Sequence, residues 1–68
     1  MFAFYRSGET LIRIYDHGED WRVVCGPSER WCSTWAADRR ASLVRAVTVM
    51  VEHLGLAFDP ELFVITGG

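Results

Sequence analysis

Two thiols and two imidazoles are the side chains in this sequence best suited to redox or metal chemistry: Cys25, Cys32, His17 and His53. A redox pair needs its sulfurs adjacent, and a zinc site needs closely spaced ligands. Six residues lie between Cys25 and Cys32, which is not a zinc-knuckle spacing, and two cysteines are too few for a disulfide scaffold. His17 falls in a turn and His53 near a helix end, so nothing in the pattern gathers the four. The thiols read as small hydrophobes packing under a helix, the usual behaviour of free cysteine. No metal site and no cofactor are expected.

A second candidate is acid–base chemistry at Asp16-His17 and Glu19-Asp20. Catalysis needs a base held against a nucleophile or a bound water and oriented by a third group. A short solvated turn supplies no such burial, and no Gly-rich phosphate loop is present. The sequence reads as non-enzymatic. The third candidate is the ending "VITGG". It is similar to the endings of sulfur-carrier and molybdopterin-carrier proteins, whose Gly-Gly tail threads an adenylating site. That resemblance covers the tail alone and implies activation at Gly68. In those families the helix follows the first hairpin and several strands come after it; here the helix is late.

Composition sets the frame for these groups. Sixty-eight residues make one domain, residues 1–68, with a core that buries only ~60% of the unfolded surface. Half the residues are hydrophobic and 24% are charged, a folding composition. All seven basic residues are arginines, and the net charge is −2, which gives no bulk attraction to nucleic acid or an anionic membrane. The start, "MFAFYRSGET", meets charge at Arg6 and lacks the leader of a signal peptide. No apolar run approaches the ~20 residues of a membrane helix. The chain reads as cytoplasmic, with reduced thiols and no membrane partner.

The first half alternates like strands. "FAFYR", "TLIRIYD", "WRVVC" and "RWCST" are separated by "SGE", "HGED" and "GPSE". The last fits a four-residue type I turn with Pro27 where its fixed φ helps. From Ala36 to Leu54 the period changes: Leu43, Val47, Met50 and Leu54 recur at three and four residues, flanked by Val44 and Val51. Arg45, Thr48 and Glu52 fall opposite, so this is an amphipathic helix. Thr34 or Asp38 caps its start, and Gly55 ends it with Leu56 folding back in a Schellman-type contact. "FDPE" turns the chain. "LFVIT" is apolar on both faces, as in a covered strand, and is placed beside the first. The expected fold is α+β: an antiparallel sheet of about five strands in the order β-β-β-β-α-β, with one helix packed on one face.

Pairing parity divides the sheet. Two- and four-residue turns alike pair even positions with odd, so Ile12, Ile14, Trp21, Val23 and Cys25 share the face under the helix. Cys32 and Thr34 join it, with the two thiols about one diagonal apart. The second face holds Leu11, Arg13, Tyr15, Asp20, Arg22, Val24, Trp31 and Ser33, with Trp35 near its edge. Arg13, Tyr15, Arg22, Trp31 and Trp35 are the candidate partner-binding residues, because Trp, Tyr and Arg dominate interface hot spots. The plainer reading is cross-strand Arg–aromatic pairing with the guanidinium heads left wet.

Residues 11–54, "LIRIYDHGEDWRVVCGPSERWCSTWAADRRASLVRAVTVMVEHL", resemble the core of the HicB-type antitoxin family. That core runs strand, turn, strand, a "PG-C" loop, a short strand and a Thr-capped helix. Cys32, Thr34 and Leu43 fall at comparable separations, while the family's "LPGC" is "ERWC" here. Size and element order are also similar in class to small phage anti-CRISPR proteins. Both resemblances imply a small inhibitor or antitoxin that neutralises a protein partner. Three other readings are a sheet-type nucleic-acid binder using the same face, a homodimer burying two such faces, and the carrier activated at its tail.

Overall fold

The computed structural model describes residues 1–67. Four strands run in sequence as a meander: β1 (Ala3–Ser7), β2 (Thr10–Asp16), β3 (Asp20–Cys25) and β4 (Ser28–Ser33). A helix, α1 (Arg39–His53), follows, then a 3₁₀ turn (Pro60–Leu62) and β5 (Phe63–Ile65). The sheet is antiparallel with the order β4-β3-β2-β1-β5, and α1 packs on one face, giving the expected α+β architecture. β5 lies beside β1, with Ala3 opposite Ile65 and Tyr5 opposite Phe63.

All three hairpins close through two residues with glycine first: Gly8-Glu9, Gly18-Glu19 and Gly26-Pro27. Ser7 pairs with Thr10, His17 N–H donates to Asp20 C=O at 3.0 Å, and Cys25 pairs with Ser28. Each of these glycines has a positive φ, the choice that suits the right-handed strand twist. The expected four-residue type I turn over "GPSE" is therefore corrected. Gly26, at φ 56°, takes the first turn position and Pro27 the second, which draws Ser28 and Glu29 into β4.

The corrected loop keeps the parity, so the face assignment stands. Ala3, Tyr5, Ile12, Ile14, Trp21 and Val23 are buried beneath Leu43, Ala46, Val47, Met50 and Val51 of α1. Phe58, Leu62 and Phe63 close the β1 end of this core. The Arg39 guanidinium lies 4.8 Å from the Trp21 ring centroid and pairs with Asp16, roofing the indole at the helix start.

The helix begins at Arg39, three residues later than the apolar period suggests. The Asp38 side chain accepts from Arg40 N–H and fixes the start there. Upstream, Ser33 Oγ takes the Trp35 N–H and Arg45 takes the Trp35 C=O, which leaves no helical bonds for that segment. At the other end Gly55 has φ 76°. Leu56 N–H donates to Val51 C=O and Gly55 N–H to Glu52 C=O, both at 3.0 Å, which is the Schellman pattern. β5 is an edge strand of three residues with Val64 exposed, so the expectation of a strand covered on both faces is also corrected. Its apolar content reflects the row it joins beside Phe4.

Candidate functional site

The face turned away from α1 carries two ladders of side chains. In one, Tyr15, Arg22 and Trp31 stand directly opposite one another on β2, β3 and β4. In the other, Val64, Phe4, Arg13, Val24 and Glu29 cross all five strands. Arg6 and Leu11 form a third, shorter pair toward the Gly8 turn. Among the described residues, none of the chain's own elements is packed over this face.

Glu29 ties the two ladders together. One carboxylate oxygen accepts from Arg22 Nε at 2.9 Å and the other from the Trp31 indole N–H at 3.0 Å. The Arg22 guanidinium lies 5.7 Å from the Tyr15 ring centroid, and the His17 ring meets Trp31 edge-on at 5.0 Å. The Arg22 hydrogen bond first, and the Trp31 bond second, hold the Glu29 carboxyl below the usual carboxylate range. Each of its oxygens holds one of these donors, so it orients the arginine and the indole. Arg6 and Arg13 make no ion pair with a carboxylate among the described residues. The face thus has two uncompensated cations on a chain whose net charge is −2.

Four of the five residues proposed from the sequence lie on this face: Arg13, Tyr15, Arg22 and Trp31. Trp35 lies beyond the end of β4, in the link to α1, and is 84% exposed. It stands apart from the hydrogen-bonded cluster. Glu29 and His17 belong to the cluster and are not among those five; the sequence marks His17 only as a metal or acid–base candidate. A two-residue loop at Gly26-Pro27 is the signal that places Glu29 opposite Val24.

The chemistry-bearing groups elsewhere do not converge. The two-residue loop puts Cys32 opposite Trp21 and Cys25 opposite Ser28, two diagonals apart and not one. At a strand rise of ~3.3 Å per residue the thiols are roughly 13 Å apart, beyond disulfide reach. Both sit on the helix side, partly buried, and desolvation pushes the Cys32 thiol above its ordinary range. The sheet separates them from His17, while His53 Nδ1 lies 3.1 Å from the Arg30 guanidinium. Among the described residues no group of three or more His, Cys, Asp or Glu side chains is placed to share a metal ion. No helix of the described residues is long and apolar enough to cross a membrane.

The tail has a packing partner. Gly67 N–H and Thr66 N–H donate to the Phe2 C=O at 2.8 and 2.9 Å. A side chain at Gly67 would put its Cβ 2.5 Å from Phe2 Cδ1, so the Phe2 ring would have to shift to admit one. The expected activation point, Gly68, lies outside the described residues.

Comparison of the chain with protein-family models, curated proteins and solved structures finds no match in any of the three. The site is therefore read from its own geometry.

Proposed function

We propose that this chain is a small, non-enzymatic protein-binding module that inhibits or neutralises a partner protein through the sheet face opposite α1. The mode of action would be that of an antitoxin or a phage-encoded anti-defence inhibitor of the anti-CRISPR type. The observation that carries the reading is the Tyr15–Arg22–Trp31 ladder, braced by Glu29 on a face that no described element covers. Bracing matters because side chains already held in place lose less entropy on binding. Indole and guanidinium groups are the commonest interface anchors. The uncompensated Arg6 and Arg13 favour a partner surface that presents carboxylates, since complementary charge speeds encounter and fixes orientation.

The test is a comparison of immobilised wild type with the Arg22→Ala/Trp31→Ala variant in lysate of the source cell. Loss of a partner that wild type retains, with the variant still cooperatively folded, supports the reading. Equal retention of the same partner removes this face as the site. A nucleic-acid partner would show itself by affinity falling steeply with salt, as counterions are released. The carrier reading predicts that deletion of Gly67 and Gly68 abolishes function, whereas a face binder keeps it.

A further inference from the structure

We infer that two copies of this chain associate through their β4 edges, continuing the sheet about a two-fold axis at Trp31. That contact lies at the edge of the sheet, shares Trp31 and Glu29 with the face proposed above, and does not depend on that face binding a partner.

The backbone sets the pairing. Thr34 N–H donates to Glu19 C=O at 2.9 Å, which fixes the alternation along the β3–β4 ladder. Counted from that pair, Ser28, Arg30 and Cys32 turn their N–H and C=O groups toward β3. Glu29, Trp31 and Ser33 turn theirs outward, away from the sheet. The reach of Arg45 Nη2 to the Ser33 C=O, at 3.3 Å, agrees with this alternation. Six residues of open edge remain, longer than the three of β5 at the other side. Such an edge is a template for another strand.

The sequence then selects the register. An antiparallel self-pair must bring odd residues opposite odd residues for the outward groups to meet. An axis at Arg30 would set Arg30 against its own copy and Pro27, which has no N–H, against Ser33. An axis at Cys32 would set Glu29 against Trp35, where the chain has already left the strand. An axis at Trp31 sets Glu29 against Ser33 and Trp31 against its copy, so all three outward residues exchange N–H···O bonds in both directions. On the helix side Arg30 then faces Cys32, with no like charges opposed.

The side chains bordering the edge agree. Arg45 bonds to Ser33 and His53 to Arg30, so Val49, midway between them on α1, lies on the same flank and level with the axis. It is 42% exposed, as Trp31 is 52% exposed on the opposite side of the sheet. The edge is therefore bordered by an unburied apolar side chain on each face. α1 packs over β3 and β4 and, less extensively, over β2. With strands ~4.8 Å apart, it sits between one and two strand spacings from the axis, so the two helices would flank the axis on one side of the continued sheet, roughly 10–15 Å apart. Val49 would meet Val49 of the second copy and Trp31 would meet Trp31. Arg45 gives up the Ser33 carbonyl and keeps that of Trp35, at 3.0 Å.

Sedimentation equilibrium of the whole chain tests this. Wild type is expected at twice the monomer mass of 7.7 kDa, dissociating on dilution. Ser33→Pro removes an outward N–H that no intramolecular bond uses, and Val49→Asp opposes two carboxylates across the axis; both are expected to sediment as monomers. Hydrogen exchange on wild type needs no variant to fold. The amides of Glu29, Trp31 and Ser33 should be protected in concentrated solution and exchange freely in dilute solution, while Arg30 and Cys32 stay protected in both. A wild type that remains monomeric at several hundred micromolar overturns the proposal. So does a dimer in which the three edge amides exchange freely, which would place the contact elsewhere, including on the aromatic face.

Discussion

The indole N–H of Trp21 donates to the Ser42 hydroxyl at 2.9 Å, with both residues fully buried at the seam between β3 and α1. Ser42 in turn donates to the Arg39 C=O at 2.7 Å, so its single hydroxyl satisfies the largest buried ring and the first turn of the helix together. Among the described residues no buried side-chain polar atom lacks a partner, and this bond is one reason. Ser42→Ala leaves the indole N–H buried and unpaired, and should cost about 1–3 kcal/mol. In urea unfolding, Trp21→Phe/Ser42→Ala should lose less stability than the sum of its single variants. Strict additivity would show that the bond does not couple the two elements.

Tyr5 makes a comparable tie at the other end of the core. Its hydroxyl accepts from Asp59 N–H at 2.9 Å and donates to Ala57 C=O at 3.3 Å, fastening the α1–β5 connection over β1. The ring itself stacks on Phe58 at 5.5 Å. Tyr5→Phe keeps the ring and drops the hydroxyl, with an expected cost of about 1 kcal/mol. In a chain of this size that lowers Tm by roughly 4–8 °C. The Asp59 amide should also exchange faster. An unchanged Tm would mean that water replaces the hydroxyl without loss.

How much of this was legible beforehand follows from parity. Turns of two and four residues give the same alternation, so Ile12, Ile14, Trp21 and Val23 were assigned beneath the helix, and Arg22 and Trp31 away from it, without the loop length being known. Properties that depend on the count do not follow from parity. A four-residue loop would set Cys25 and Cys32 one diagonal apart and keep Glu29 in the turn, whereas the two-residue loop sets them two diagonals apart and puts Glu29 in β4. The reason is that Pro27 suits an early turn position, while Gly26 suits the one that a tight hairpin demands. Ser42 carried no signal, because a lone serine on an apolar helix face gains its role only from the indole opposite. Phe4 and Arg6 join the face through the Gly8-Glu9 hairpin, while Val64 reaches it through a pairing between the two chain ends, whose register local periodicity does not encode.

Glu29 gives the bracing of the candidate face a pH signature. Arg22, and then Trp31, stabilise the charged carboxylate, so its folded pKa lies below its unfolded one. Such a group contributes stability above the unfolded pKa and loses it as pH falls through the folded value. Carbon-13 titration should place the Glu29 midpoint below that of a free glutamate side chain. Arg22→Ala should move it upward further than Trp31→Phe does. Glu29→Gln should remove the step and loosen both neighbours, seen as averaging of the Trp31 indole and Arg22 Nε signals. A Glu29 midpoint indifferent to Arg22→Ala would dissolve the cluster as a preorganised unit.

The contact between Gly67 and Phe2 decides how a tail deletion must be interpreted. Phe2 packs on Trp21 with ring centroids 5.1 Å apart, and a Cβ at Gly67 would lie 2.5 Å from the Phe2 ring. Gly67→Ala should therefore push Phe2 off Trp21, at the low end of the ~1–3 kcal/mol seen for overpacking. The ring-proton shifts of Trp21 should change with it. Phe2→Ala removes the clash, so the Phe2→Ala/Gly67→Ala pair should cost less than the two single changes added together. If the Trp21 shifts stay fixed in Gly67→Ala, the tail is not seated on Phe2. If they move, deletion of Gly67 and Gly68 perturbs the edge of the core as well as the ending. Loss of function on deletion then points to a carrier only when Phe2→Ala, which removes the same packing and keeps both glycines, remains active.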